Sequence, residues 1–179
     1  MKELLVEAIK NASLEEVKNL PEFNLSDLGL HISEIFDTFG KEKAEFLYSR
    51  DLHIAYCYAK DHIQQRFPEA EPTIAKDPEY TILYALNVLK SRFHEAEPII
   101  AKDPEYAYYY ALHVLKQRWP EAEPIIATHP SYAYVYAKNI LKSRWPEAEP
   151  IIAKEIDKPY SGYQHSLKTI YEKKFNCKI

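Results

Sequence analysis

Four arginines precede aromatic residues at a fixed spacing, and this combination could bind anions or nucleic acid. The pairs are Arg66-Phe67, Arg92-Phe93, Arg118-Trp119 and Arg144-Trp145. A row of guanidinium groups attracts phosphates, and flat rings beside it stack on bases. The competing interpretation is structural, because glutamates such as Glu71 lie at neighbouring helix ends and would pair with the arginines. We favour the structural interpretation and keep the anion-binding edge as an alternative.

The chain shows no other pattern typical of catalysis or of metal binding. Its three glycines are isolated, so they form no phosphate-binding loop. His53 and His62 could pair with neighbouring aspartates, yet solvated surface groups are the simpler interpretation, and no histidines have metal-ligand spacing. Carboxylate pairs such as Glu69 and Glu71 recur with the sequence repeat described below, whereas a catalytic pair is normally unique. We therefore expect no enzymatic activity, no metal and no cofactor.

The composition is that of a globular domain with many tyrosines. Of 179 residues, 46% are hydrophobic, 28% are charged and 15 are tyrosine, and the net charge is -4. This charge gives no general attraction to nucleic acid or anionic lipid. Cys57 and Cys177 are too few for a disulfide framework. Acidic residues interrupt the first apolar stretch and no run of about 18 apolar residues exists. We expect a soluble cytoplasmic protein without a signal peptide or membrane contact.

A repeat of 26 residues organises most of the sequence. The segment Arg66-Phe67-Pro68-Glu69-Ala70-Glu71-Pro72 returns with starts at 92, 118 and 144, each 26 residues after the last. Repeats of about 20 to 50 residues are typical of stacked arrays whose units bury apolar surface against each other. A degenerate copy precedes the clear ones. The sequence predicts an all-α fold: an α-solenoid of two-helix repeats over 42–154, an N-terminal helical cap over 1–41 and a C-terminal capping helix over 155–179.

Proline and aspartate positions predict where the helices of each repeat begin. In Asp103-Pro104 the aspartate caps a helix and the proline takes its first position. The residue before a proline favours extended geometry, so the preceding helix ends near Lys102. We expect a short helix A over about 95–102, with Pro98 delaying its start, a longer helix B over about 104–118, and a last helix over 160–173. His129 replaces the capping aspartate in one copy and should weaken that cap.

One half of helix B is almost unchanged between the copies, which indicates the core. Its columns are Tyr84, Tyr110 and Tyr136; Ala85, Ala111 and Ala137; and Leu89, Leu115 and Leu141. We expect close helix approach at the alanines, and buried tyrosines whose hydroxyl groups reach a partner at the edge.

The opposite half of helix B differs between the copies, and we predict that it binds a partner. Repeated neighbours keep core positions alike, whereas a recognition surface must vary along its length. Its tyrosines, leucines and scattered polar residues have the composition of an interface. The predicted contact residues are Leu83, Asn87, Tyr108, Tyr109, Leu112, His113, Lys116, Tyr134, Val135 and Asn139. The competing interpretation, strongest at positions 82 and 86, is that neighbouring helices cover this half.

The run Arg118-Trp119-Pro120-Glu121-Ala122-Glu123-Pro124, combined with an Asp-Pro-Glu-Tyr segment, resembles a short helical repeat of phage and large-virus proteins of unassigned function. The resemblance covers about 44–154. It departs from the usual motif at His94, where proline is usual, and at Thr128-His129. The resemblance implies a viral origin and an α-helical array, and therefore a partner in the host cell cytoplasm.

We expect a non-enzymatic protein-binding module that blocks or redirects a host protein. Three alternatives stay open: nucleic-acid binding along the Arg/Trp edge, sequestration of a small anionic ligand between tyrosines and lysines, and self-association through an exposed apolar surface. The first predicts an affinity that falls steeply with salt. The second predicts a melting temperature that rises with the ligand.

Overall fold

The computed structural model describes residues 2–21, 23–154 and 166–179, and these residues form helices and connecting turns without a β-strand. The helices pack in repeating pairs, so the predicted all-α repeat solenoid is confirmed. The chain divides into two compact units, Met1–Tyr80 and Thr81–Ile179. No helix of the described ranges combines the length and the apolarity needed to cross a bilayer.

The first unit contains the N-terminal helices and the degenerate copy of the repeat. Its helices are α1 (Lys2–Asn11), α2 (Leu14–Lys18), a 3-10 helix (Leu25–Leu28), α3 (Ile32–Phe39), α4 (Lys41–Ser49), α5 (Leu52–Cys57) and α6 (Glu71–Ile74). A capping box starts α2: the Glu16 N–H donates to Ser13 Oγ at 3.3 Å, and the Ser13 N–H donates to the Glu16 carboxylate at 2.7 Å. The helix α7 (Pro78–Tyr84) includes the division between the units.

The second unit contains the clear repeats that start at 92, 118 and 144, the end of the copy that starts at 66, and the last helix. Its helices are α8 (Glu97–Ile100), α9 (Pro104–Tyr109), α10 (Glu123–Ile126), α11 (Pro130–Tyr136), α12 (Glu149–Lys154) and α13 (Leu167–Phe175). The longer helix of each repeat continues into a π-helical turn. These turns are Tyr58–Ile63, Ala85–Leu89, Tyr110–Leu115 and Ala137–Leu141.

Both helices of a repeat are shorter than predicted. Helix A of the copy at 92 is the single turn α8, which starts late as Pro98 suggested. Helix B consists of α9 with its π-helical turn and ends at Leu115 instead of 118. Lys116 ends it in the left-handed conformation with φ 55°, because a positive φ cannot continue a right-handed helix. The equivalent residues of the other copies do the same: Gln64, Lys90 and Lys142.

The helix caps follow the sequence closely. Asp103 Oδ1 accepts hydrogen bonds from the backbone N–H groups of Glu105 at 2.8 Å and Tyr106 at 3.2 Å. His129 occupies the equivalent place before α11 and makes no capping hydrogen bond. The predicted weak cap is therefore confirmed, and α11 begins with its N–H groups less well satisfied than α9.

The unchanged half of helix B is the core, as predicted. Its tyrosine and alanine columns are fully buried: Tyr84, Tyr110 and Tyr136, and Ala85, Ala111 and Ala137. The leucine column is only half-buried: Leu89, Leu115 and Leu141. The leucines lie in the last turn before the helix ends, where fewer neighbours cover them.

The predicted last helix over 160–173 falls partly on residues 155–165, which lie outside the described residues. The described helix α13 begins at Leu167, after Ser166 Oγ accepts a hydrogen bond from the Thr169 N–H at 3.3 Å. It ends at Phe175, two residues beyond the predicted end. It packs against α11 and α12 and so closes the array of the second unit.

Candidate functional site

Each clear repeat of the second unit contains a hydrogen-bond network that we call the clamp. In the copy at 118, Arg118 Nε and Nη2 donate to the two carboxylate oxygens of Glu123 at 2.8 and 2.7 Å. The Tyr136 hydroxyl donates to Glu123 Oε1 at 2.9 Å and accepts from the Trp119 N–H at 2.8 Å. The clamp thus ties the linker before helix A to the core tyrosine of helix B.

The clamp recurs in the same arrangement along the chain. The copy at 92 uses Arg92, Glu97, Tyr110 and Phe93, and the copy at 144 uses Arg144, Glu149, Tyr171 and Trp145. The repeat spacing would place the last tyrosine at 162, where the sequence has Gly162. Helix α13 supplies Tyr171 instead, nine residues later (171 against 162). In the first unit Arg66 binds both carboxylate oxygens of Glu71, at 2.7 and 2.9 Å.

The clamp fixes the ionisation states of its members. Hydrogen bonds from the Arg118 guanidinium lower the pKa of Glu123, and they outweigh desolvation, which raises it. Desolvation by burial raises the pKa of Tyr136 well above its usual range. The carboxylate therefore stays charged and the phenol stays protonated near neutral pH, which is the pair of states that the hydrogen bonds require.

The arginines and tryptophans of the alternative anion-binding edge have structural roles in the clamp and in the core. Trp119 and Trp145 are 3% and 4% exposed, and their rings pack 5.1 Å from those of Tyr110 and Tyr136. Rings so deeply buried offer no face on which a base could stack. Each arginine of the edge directs two donors at a glutamate: Arg66, Arg92, Arg118 and Arg144. The geometry supports the structural interpretation of this ladder.

The predicted contact residues fall into three classes of exposure. The exposed ones are Asn87, Tyr109, His113, Lys116 and Asn139, the half-buried ones are Leu83, Leu112 and Val135, and the buried ones are Tyr108 and Tyr134.

Tyr108 and Tyr134 do not lie on an accessible surface, so their prediction as contact residues requires correction. The Tyr108 hydroxyl accepts a hydrogen bond from Asn139 Nδ2 at 2.7 Å, and its ring lies 6.1 Å from that of Tyr132. Both partners belong to the next helix B, so position 108 faces the neighbouring repeat. The ring of Tyr134 lies 6.4 Å from that of Tyr171 in α13. The sequence contained a signal, since this position is tyrosine in three of the four copies and is nearly as uniform as the core.

The remaining positions, except Lys116 in the left-handed turn that ends its helix, belong to a surface that we call the variable face. It consists of three residues per repeat at the spacing i, i+3, i+4 on helix B: Leu83, Leu86 and Asn87; Tyr109, Leu112 and His113; Val135, Lys138 and Asn139. This spacing places the three on one side of a helix. The π-helical turns of successive repeats are neighbours, so the three sets lie next to each other. Leu86 and Lys138 were missing from the predicted set, although the i+3 spacing points to both.

The chemistry of the variable face changes from repeat to repeat. Its first set is aliphatic, with Leu86 36% exposed. The second is aromatic: Tyr109 is 39% exposed, and its ring stacks on that of His113 with centroids 6.0 Å apart and planes at 13°. The third brings a cation, because Lys138 Nζ lies 5.7 Å over the ring of the buried Tyr134. The first of the three positions differs in every repeat, and each of the other two differs in one repeat: Leu83, Tyr109 and Val135; Leu86, Leu112 and Lys138; Asn87, His113 and Asn139.

A cysteine, a histidine and a tyrosine lie together in the first unit, in surroundings that disfavour the thiolate form of the cysteine. His53 Nδ1 is 3.0 Å from the Tyr80 hydroxyl, and its Nε2 is 3.7 Å from Cys57 Sγ. A catalytic thiol needs a lowered pKa. Burial raises the pKa of the Cys57 thiol, and the Asp61 carboxylate raises it further. In the part of the chain that the structure describes, no three His, Cys, Asp or Glu side chains come together to hold a metal ion.

Comparisons with known proteins give no indication of the function of this chain. No family model matches the chain, and no curated protein and no solved structure matches it significantly. The resemblance to viral helical repeats therefore stays a prediction.

Proposed function

We propose that this protein is a helical-repeat module that binds another protein through its variable face. One observation carries the proposal: three adjacent helices B keep the same fully buried tyrosine and alanine columns, but the side chains at the outward positions beside these columns differ between the repeats. Stacking alone requires no such differences, whereas recognition of an irregular partner surface does.

The composition and exposure of the face favour a protein as the partner. Tyr109 and Leu86 are two of the large hydrophobic side chains of the described residues that are more than a third exposed. Tyrosine is enriched among the residues that dominate interface energetics, each contributing about 2 kcal/mol or more when central and desolvated. His113 beside Tyr109 supplies a hydrogen-bonding group that can orient the partner.

The helices that support the face are suited to a preformed interface. Two of these helices are tied at their core tyrosines, Tyr110 and Tyr136, to the preceding linker, so little ordering entropy is lost on binding. If the resemblance to viral repeats holds, the partner is a host protein that the module blocks or redirects. Nucleic-acid binding is the weaker alternative, because the arginines are already paired and the tryptophans are buried.

The test is a quantitative affinity capture with matched variants. Wild-type protein, the double variant Tyr109→Ala/His113→Ala and the control Glu121→Ala are immobilised at equal density and exposed to the same cell lysate. Glu121 is exposed but lies outside the variable face. We expect a protein whose recovery falls at least about tenfold, equivalent to about 1.4 kcal/mol, with the double variant only.

Equal melting temperatures of the three proteins confirm that folding is intact. The same captured proteins at the same recovery with all three baits would refute the proposal. Recovery that falls steeply with salt and depends on nuclease treatment would favour the nucleic-acid alternative instead.

A further inference from the structure

A cleft in the first unit lies outside the variable face and has the dimensions of a small-molecule site. Its volume is about 580 Å³, within the range of about 300–1,000 Å³ that is usual for ligand sites. It opens between α3 and the π-helical turn Tyr58–Ile63. The described residues that line it are His31, Ile32, Ser33, Phe36, Tyr48, Tyr58, His62 and Ile63.

The lining is aromatic and carries no formal charge from aspartate, glutamate, lysine or arginine. Ile32 and Phe36 lie one turn apart on α3, and each is 40% exposed. Exposed apolar side chains next to a concave surface gain free energy when a ligand covers them. A charged ligand would lose its hydration without gaining an ionic partner from the lining, so the lining favours an uncharged molecule.

Most polar atoms of the lining already have partners. The Tyr48 hydroxyl donates to the Ile32 carbonyl at 2.6 Å, and the Tyr58 hydroxyl donates to Glu45 at 3.0 Å. His31 Nδ1 and the Ser33 hydroxyl are 2.8 Å apart.

His62 is the exception among these side chains. Its ring stacks on Tyr58, with centroids 5.7 Å apart and planes at 26°. Among the described residues it forms no hydrogen bond, so its imidazole nitrogens are open to a ligand. A hydrogen-bonding group of this kind beside aromatic and aliphatic side chains orients a mostly apolar ligand.

We propose that this cleft binds an uncharged, flat aromatic molecule that carries a hydroxyl or carbonyl group. Its rings pack against Ile32 and Phe36, and its polar group exchanges a hydrogen bond with the His62 imidazole. The site shares no residue with the variable face and does not depend on the proposed protein partner.

The probe for the test is 2-naphthol, with 2-naphthoate as the charged analogue of the same ring size. Saturation-transfer NMR on the full chain measures the binding of each, and a titration gives the dissociation constants. We expect 2-naphthol to bind at least tenfold more tightly than 2-naphthoate. We expect Phe36→Ala and His62→Ala each to weaken 2-naphthol binding severalfold, whereas the control Glu121→Ala, at an exposed position outside the cleft and the variable face, leaves it unchanged.

A second kind of variant blocks the cleft by adding a bulky side chain, whereas the alanine variants remove side chains that line it. Ser33→Trp, at an exposed position on the rim, fills the cleft and should abolish 2-naphthol binding while the melting temperature is retained. Three results would overturn the proposal: no saturation transfer to 2-naphthol, equal affinity for both probes, or an affinity that none of the cleft variants changes.

Discussion

Replacing Tyr136 by phenylalanine tests the clamp with the loss of a single oxygen atom. The hydroxyl accepts a hydrogen bond from the Trp119 N–H at 2.8 Å and donates to Glu123 Oε1 at 2.9 Å. Tyr136 is fully buried and Trp119 nearly so, so no solvent can take the place of the missing oxygen. The variant keeps the ring and therefore isolates the polar contribution.

The magnitude follows from the two lost hydrogen bonds. Leaving a buried N–H without an acceptor costs about 1–3 kcal/mol, and losing a hydrogen bond to a charged group costs about 1.5–3 kcal/mol. Because Glu123 keeps both bonds from Arg118, we take the lower end of the second range and expect a total of about 2.5–4.5 kcal/mol. With a urea m-value of about 2 kcal/mol/M, in the middle of the usual range, the midpoint should fall by about 1–2 M.

The assay is urea unfolding followed by circular dichroism and by tryptophan fluorescence, which reports on Trp119 and Trp145 directly. Tyr109→Phe is the matched control, because that hydroxyl is on an exposed residue and should change stability by less than about 0.5 kcal/mol. If Tyr136→Phe matched this control, the clamp would contribute nothing to stability and the reasoning would fail.

Three further predictions concern helix ends and acid stability. Lys116→Gly should stabilise the protein by about 0.5–1 kcal/mol, because glycine adopts the positive φ of this position without strain. Lys138→Gly, inside the same kind of helix, should destabilise the protein by about 0.5–1 kcal/mol, because glycine is unfavourable there. The urea unfolding midpoints of the two variants measure both effects. His129→Asp should add about 0.5–1.5 kcal/mol by restoring the capping hydrogen bonds that Asp103 makes, measured in the same way. Folding lowers the pKa of Glu123, so its contribution is complete above the unfolded value of about 4.3 and is lost as the pH falls through the folded value. Glu123→Gln should therefore flatten the fall in urea midpoint between about pH 5 and pH 3, and an unchanged slope would show that this carboxylate is not a main source of acid sensitivity.

The sequence was sufficient to predict the parts of the fold that repeat. The same residue types recur at the same positions of successive copies. They therefore reveal the period, the helix starts at aspartate and proline, and the buried tyrosine and alanine columns. The weak cap at His129 was predictable for the same reason, because one residue differs from three aspartates at an otherwise constant place.

The parts that depend on packing between elements were not predictable. Helix B ends at Lys116 because its backbone turns left-handed there, and lysine carries no local preference for that conformation. The helical wheel places Tyr108 opposite the core, yet the next helix B covers it. The burial of Tyr108 therefore depends on the neighbouring repeat and cannot be read from one helix alone. The first-unit cleft is lined by residues of α3 and by residues of the turn Tyr58–Ile63, which lie far apart in the sequence, so no local pattern encodes it.

The clamp of the copy at 144 closes with a tyrosine that lies outside the repeat period. Tyr171 can therefore complete the clamp of whichever repeat comes last, and the number of repeats before it can change without loss of this network. Loss of residues 118–143 would join Gln117 to Arg144, bring Trp145 into the place of Trp119 beside Tyr110, and leave the final network whole. Duplication of the same stretch would lengthen the array with equal ease. Unequal recombination between such similar gene segments can thus add or remove entire recognition steps in units of 26 residues, and each new step arrives already foldable and free to diverge on its outer side.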